Sequence, residues 1–228
     1  MIKNISNLGD AAVYCDFGKD VNQVINSHVI SYFNHITSLV KQEKIQGINN
    51  LTPSYNKLII SFDLTMTSFS KLKKIIENLN IKKDVKQMNQ EIRIPVCCDD
   101  EYGLDFNRLS KKLKLSKEEI LKHYFDKKYF CYMTGFIAGM PFLGNLDEKI
   151  RCDRLETPRV KVPEGSVGIT EQFANIYTFE SPGGWNIIGN TPKKIFIKSN
   201  LQDPVIIKPG DKVVFYQISK EQHYKFND

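Results

Sequence analysis

The residues best suited to chemistry lie between Gly135 and Pro192. The stretch SPGGWNIIGNTP, Ser181 to Pro192, holds three of the chain's 13 glycines and its only tryptophan. Pro182 presets its own φ, and Gly183 and Gly184 permit φ above zero, so Ser181 to Trp185 reads as a tight turn running into a strand. Such a turn shapes a pocket rim with Trp185 as a wall, or it is a barrel corner with Trp185 in the core. Upstream, GFIAGMPFLG carries Gly135, Phe136, Gly139, Phe142 and Gly144. It lacks the Gly-Lys-Ser ending of a phosphate loop and reads as a pocket-lining loop or as strand, turn and strand. Arg159 in TPRVKVP offers a fork for a carboxylate or phosphoryl oxygen, against the alternatives of a structural ion pair or a surface arginine. Ser166 in PEGSVGI lacks the G-x-S-x-G context of a nucleophile elbow, which favours a turn serine. Thr191 in GNTP donates to a ligand or caps a turn. Asp147 and Glu148 are adjacent carboxylates, and a solvated turn is a better reading than an acid–base pair.

The elements that must position these residues fall into two blocks. The first third reads as strand, helix, strand, strand, helix, strand. AAVYCDFG (11–18) is strand-like. In the segment that follows, Val21, Val24, Ile25, His28, Val29, Tyr32, Phe33 and Ile36 recur at helical spacing, with Asp20 as the expected N-cap. His28 and His35 share that helix with no cysteine or carboxylate at metal-binding spacing. Pro53 and Ser54 turn between two extended pieces, residues 67–81 form a second amphipathic helix, and QEIRIPVCC (90–98) is a strand. This order predicts a ferredoxin-like plait over 1–98. Two short helices occupy 99–128, the second opened by a Ser116/Glu119 capping box. From 129 to 228 short apolar runs punctuated by Gly and Pro predict an all-β barrel or sandwich, with Pro209-Gly210-Asp211 turning into its final strand.

Composition narrows the class. Hydrophobic residues make up 41% of the 228, enough for a sizeable core, and no apolar run reaches 18 residues. The N-terminus has no basic start followed by an apolar segment, so no signal peptide is read and a cytoplasmic location is expected. Five cysteines without a C-x-x-C pair support neither a disulfide framework nor a zinc knuckle. Adjacent Cys97 and Cys98 are expected to point to opposite faces of a strand. The net charge of +6 comes mostly from lysines alternating with leucines, including KLKK (71–74), KKDVK (82–86) and KKLKLSK (111–117). That pattern is a solvated helix face, not the arginine and aromatic interleaving of a nucleic-acid binder.

Taken together, GFIAGMPFLGNLD, TPRVKVPEGSVGI, NIY and SPGGWNIIGNTP, in this order, closely resemble the family of the 5-oxoprolinase B subunit, also called allophanate hydrolase subunit 1 or KipI. The family pattern runs GFxPGFxYLGxL, PRxxxPRxxVPxGSVGI, a Gly-Gly-x-Gln-Thr-Gly stretch, and SPGGWxLIGRTP. Four blocks in register are far more specific than one. The resemblance implies an N-terminal ferredoxin-like domain followed by a cyclophilin-like β-barrel. It implies a bacterial subunit that acts with companion A and C subunits to open 5-oxoproline to glutamate, using ATP and magnesium that this chain itself need not bind. Within the same family, a KipI-like member instead binds and inhibits a sensor histidine kinase, and other members serve allophanate or related amide hydrolysis. The resemblance marks Arg159, which matches the second Pro-Arg of the pattern, and Ser166 as candidates for the chemistry. It places Gly135, Phe136, Phe142, Gly144, Ser181, Gly183, Gly184, Trp185 and Thr191 around the pocket.

Several positions depart from the pattern. Ala138 stands for its proline, Met140 for its second phenylalanine and Asn190 for the arginine of GRTP, while TEQFAN (170–175) replaces the Gly-Gly-x-Gln-Thr-Gly stretch. Arg154 matches the first Pro-Arg, but Asp153 replaces its proline, and an upstream family histidine falls on Tyr124 beside His123. The barrel-shaping positions persist and the polar positions change, as in a member that keeps its fold and alters its pocket.

Overall fold

The computed structural model describes residues 1–81 and 90–226, so the lysine run at 82–86 lies outside the described residues. The chain divides into two compact units, Met1–Met88 and Asn89–Asp228.

The first unit contains β1 (Asn4–Asn7), β2 (Ala12–Asp16), α1 (Gln23–Lys41), β3 (Ile48–Pro53), β4 (Lys57–Phe62) and α2 (Phe69–Glu77). Its strands form an antiparallel sheet in the order β1-β2-β4-β3. In β2 and β4 burial alternates residue by residue, so Val13, Cys15, Leu58, Ile60 and Phe62 share the face that packs against Val29 and Ile36 of α1 and Leu72 and Ile76 of α2. Asn22, not Asp20, caps α1, its side chain accepting from the Ile25 N–H at 2.9 Å. The strand order expected from sequence needs a larger correction. Residues 90–98 do not join this sheet; the edge beside β2 is held by β1, a short polar strand with little sequence signal.

That displaced strand, β5 (Glu91–Cys97), belongs to the second unit. It is followed by α3 (Phe106–Leu113), α4 (Lys117–Phe125), β6 (Lys128–Thr134), β7 (Pro141–Gly144) and a single 3-10 turn at Glu148–Ile150. Next come β8 (Arg159–Val162), β9 (Ser166–Thr170), β10 (Phe173–Ile176), β11 (Ser181–Gly183), β12 (Asn186–Asn190), β13 (Lys212–Ile218) and α5 (Lys220–Lys225). Seven strands close into a barrel in the order β10-β7-β6-β13-β5-β12-β9, while β11 and β8 pair as a separate ribbon. β13 runs parallel to β5 through seven registered pairs, from Lys212 opposite Glu91 to Ile218 opposite Cys97. The helices expected as a connection belong to this unit: Leu109, Ile120 and Tyr124 are buried in one core with Tyr129, Phe215 and Ile94. The expected capping box forms, with Ser116 accepting from the Glu119 N–H and Glu119 accepting from the Ser116 N–H.

Cys97 and Cys98 are both buried, so neither is the outward-facing thiol that strand alternation suggested. Cys98 enters the barrel core, which Cys97 does not join, and α5 packs beside β5. Exposed Lys71, Lys74, Lys111, Lys112 and Lys114 form the solvated faces that their spacing suggested. Among the described residues, no helix is long and apolar enough to cross a membrane.

Candidate functional site

The β6–β7 hairpin, the segment before β8, and the β11–β12 corner enclose a cavity of about 270 Å³. Phe136, Met140, Phe142, Pro158, Pro182 and Trp185 form its apolar walls, and Arg154, Tyr177 and the backbone of Gly183 and Gly184 supply its polar groups. Phe142 and Trp185 meet edge to face, with ring centroids 5.6 Å apart. Both readings of SPGGW therefore hold at once: Trp185 is 5% exposed and walls a pocket.

The reason for the glycines differs from the one the sequence suggested. Neither Gly183 nor Gly184 has a positive φ. Gly183 is required because a Cβ there would collide with the Tyr177 hydroxyl, whereas a Cβ on Gly184 would meet Pro158 at an ordinary 3.6 Å. The positive φ values fall in the opposing hairpin, at Gly139 (φ 71°) and, unusually for a bulky residue, at Phe136 (φ 69°). The Ala138 carbonyl in that turn accepts from the Thr178 hydroxyl at 2.7 Å.

Arg159 is engaged by one nitrogen in an ion pair, while its buried Nη1 has no hydrogen-bond partner. Its Nη2 donates to Asp105 Oδ1 at 2.7 Å, the structural ion pair that stood as its alternative reading. Asp105 occupies the N-cap position of α3 but makes no side-chain capping bond there; its other oxygen accepts from the Ile187 N–H at 2.6 Å. The Asp105 N–H in turn donates to the Ile187 carbonyl at 3.0 Å. Arg108 of α3 donates to Asn186 Oδ1, and Asn186 Nδ2 donates to the carbonyls of Asp153 and Ile169. This polar clamp, drawn from positions far apart in sequence, holds the backbone immediately after Trp185. Nothing in the local pattern around Asp105 marks it, because its partners are Arg159 and Ile187.

Other candidates scatter. Ser166 opens β9 just after the Pro163–Gly165 turn and is buried, its N–H bonded to the Pro163 carbonyl at 3.2 Å. Gly144 abuts the rings of Tyr132 and Phe173, and Gly135 abuts Met133, so neither lines the cavity. Ser181 is buried in the β11–β8 ribbon. Thr191 lines a second, more polar cavity of about 190 Å³ with Glu164, Lys193, Lys194 and His223. There Asn190 Nδ2 donates to the Glu164 carbonyl, so its oxygen faces His223, whose Nε2–H donates to it at 2.9 Å. Burial pushes the His223 pKa down. Asp147 accepts from the Lys149 N–H and pairs with Lys127, which together hold its carboxyl below the usual range; Glu148 pairs with Arg151. No acid–base pair forms there. Tyr124 is buried, and His123 lies 3.7 Å from Asp147.

Sequence reading passed over Tyr177, which it saw only as the end of NIY. Tyr177 is buried at the base of the aromatic cavity and lines both cavities. Burial pushes its hydroxyl pKa up, opposed by the neighbouring Asn175 amide and Trp185 N–H and by the nearby charges of Arg154 and Arg159.

A closed barrel bearing a small aromatic cavity with an arginine at its mouth has the make-up of a small-ligand site. The chain belongs to the family described as carboxyltransferase domain, subdomain C and D, which matches residues 3–207. It is 37% identical to the B subunit of the 5-oxoprolinase of Haemophilus influenzae over 76% of this chain and 78% of that protein. It is 29% identical to the protein of the same name from Bacillus subtilis over 98% of this chain and 96% of that one. The solved structure of TTHA0988 superposes with a TM-score of 0.79 at 26% identity over 91% of this chain, which spans 40% of that longer protein.

Proposed function

We propose that this chain is a non-autonomous subunit of an ATP-dependent 5-oxoprolinase, opening the lactam to glutamate together with companion A and C subunits. The observation that carries this reading is the end-to-end similarity to a 5-oxoprolinase B subunit, covering 98% of this chain and 96% of the relative. The balanced reaction consumes 5-oxoproline, ATP and two molecules of water, one for the amide and one for the phosphoryl group, and yields glutamate, ADP and phosphate. An unstrained amide resists water, and phosphorylating its oxygen makes the carbonyl carbon electrophilic. The aromatic cavity does not fit the nucleotide: it measures about 270 Å³, and Arg154 is its one charged lining residue. ATP and magnesium serve the complex, and the aromatic cavity of this chain need not bind them. Exposed apolar side chains on the barrel unit, Phe136 at 68% and Val160 at 80%, support a protein-contacting role.

The test is glutamate release from 5-oxoproline and ATP by the companion A and C subunits, with and without this chain. Activity that requires the chain is the expected result. Equal activity without it, or turnover by this chain alone, would overturn the reading.

A further inference from the structure

Five arginines occur in the sequence, and four have a polar or ring partner among the described residues, Arg159 through one nitrogen only. Arg159 is bound to Asp105, Arg108 to Asn186, and Arg151 to Glu148 and the Leu146 carbonyl, while Arg93 lies over the Tyr216 ring at 5.4 Å. The Arg154 guanidinium has no hydrogen bond or ion pair among the described residues; only its backbone carbonyl is used, accepting from Arg108. This free fork of five donors lies at the mouth of the aromatic cavity. Lining the same cavity is Tyr177, whose hydroxyl lies against Gly183 and carries an O–H that can donate.

We infer that the cavity is the 5-oxoproline site of the complex, with Arg154 binding the ring's carboxylate and the Tyr177 hydroxyl donating to the lactam carbonyl. The inference rests on the subunit reading above for the identity of the ligand. The cavity's shape and polarity supply the rest. A volume of about 270 Å³ lies just below the ~300–1,000 Å³ of pockets for drug-sized ligands, which suits one small ring. The edge-to-face pair of Phe142 and Trp185 offers flat apolar surface to ring methylenes. A single cation in an otherwise uncharged lining matches a ligand with one negative charge and no positive one. Open-chain glutamate carries two carboxylates and an ammonium, and proline carries an ammonium where the lactam is neutral; both would leave a charge desolvated without a partner. The site therefore discriminates substrate from product, which favours release after ring opening.

Trp185 is the only tryptophan, so the fluorescence of the isolated chain reads this cavity directly. Titration with 5-oxoproline is expected to give a saturable change, with glutamate and proline at least tenfold weaker. Arg154→Ala is expected to weaken 5-oxoproline at least tenfold without shifting the melting temperature, because the side chain touches solvent and the cavity only. Arg154→Lys recovers part of the affinity, since a point charge replaces a fork, and Tyr177→Phe weakens binding by about threefold to tenfold. In the reconstituted three-subunit enzyme Arg154→Ala raises KM for 5-oxoproline by a similar factor. A silent titration together with an unchanged KM overturns the assignment, as does equal binding of glutamate. If the reconstituted activity still requires the chain in that case, the subunit reading survives and only this site falls. Saturable, Arg154-dependent binding in a chain that the activity does not need would leave the site standing and remove the subunit reading.

Discussion

Trp185 and Phe136 face the same cavity from opposite sides and are held by different means. Behind Trp185, the backbone of Asn186 and Ile187 is tied to α3 by Asp105 and Arg108, and Asp105 is tied again to Arg159. Phe136 has no such backing. It sits in a hairpin turn at positive φ with 68% of its surface exposed, held by the Gly135 N–H bond to the Met140 carbonyl and the Thr178 bond to Ala138. One wall is fixed by a buried charge network before any ligand arrives. The other is a strained, solvent-facing aromatic of the kind found at binding rims. The contrast separates two roles that a pocket needs. Changes behind Trp185 should register as lost stability, and changes at Phe136 as altered association.

The most severe way to break the fixed wall is Asp105→Ala. It leaves a partly buried guanidinium and the Ile187 N–H without partners, and about 3–5 kcal/mol of stability should be lost in urea unfolding of the chain. A loss below about 1 kcal/mol would mean that the clamp is incidental. Gly183→Ala comes next: its methyl meets the Tyr177 hydroxyl, and overpacking of about 1–3 kcal/mol is expected. Adding Tyr177→Phe should restore part of that loss, and Gly184→Ala, with room beside Pro158, should stay within about 0.5 kcal/mol of the parent. On the other wall, Phe136→Gly should be stabilising by up to about 1 kcal/mol, because glycine accepts positive φ without strain. The same change should weaken association with companion subunits in size-exclusion chromatography.

A reference point away from both walls is His223, buried on α5 against Asn190 and Tyr102. Its folded pKa is lowered by burial, so the unfolded chain takes up a proton first as pH falls through about 6.5. Stability should decline below that pH and level off once the folded imidazole also protonates. The shift is the smallest of the set, and His223→Gln should abolish this part of the pH dependence of the melting temperature.

Local signals made part of this legible. The Ser116/Glu119 capping box, the alternation in β4 and the Gly/Pro spacing of the barrel strands each depend on residues a few positions apart. The aromatic half of the cavity is assembled from readable motifs: Phe136, Phe142, Gly183, Gly184 and Trp185 lie within the Gly- and Pro-rich stretches and line one cavity. What sequence reading missed depends on distant pairing. β5 has the apolar alternation of any strand, and only its parallel partner β13, more than a hundred residues on, places it in the barrel. The short polar β1 has no strand propensity to announce it, yet it takes the sheet edge expected for 90–98. Arg159 fitted a motif, yet its pairing with Asp105, 54 positions away, was not readable locally, nor was the unpaired guanidinium of Arg154 at the cavity.

The position of β13 between β5 and β6 has a temporal consequence. A ribosome delivers β5 and β6 long before β13, and these two strands do not pair with each other. Until Lys212–Ile218 emerges, each presents an open hydrogen-bonding edge and an uncovered apolar face. The Met1–Met88 unit contains all four strands of its own sheet and can complete it during synthesis, whereas the barrel must wait for its last strand. Nascent chains of this protein should therefore engage holding chaperones in the interval between the two events.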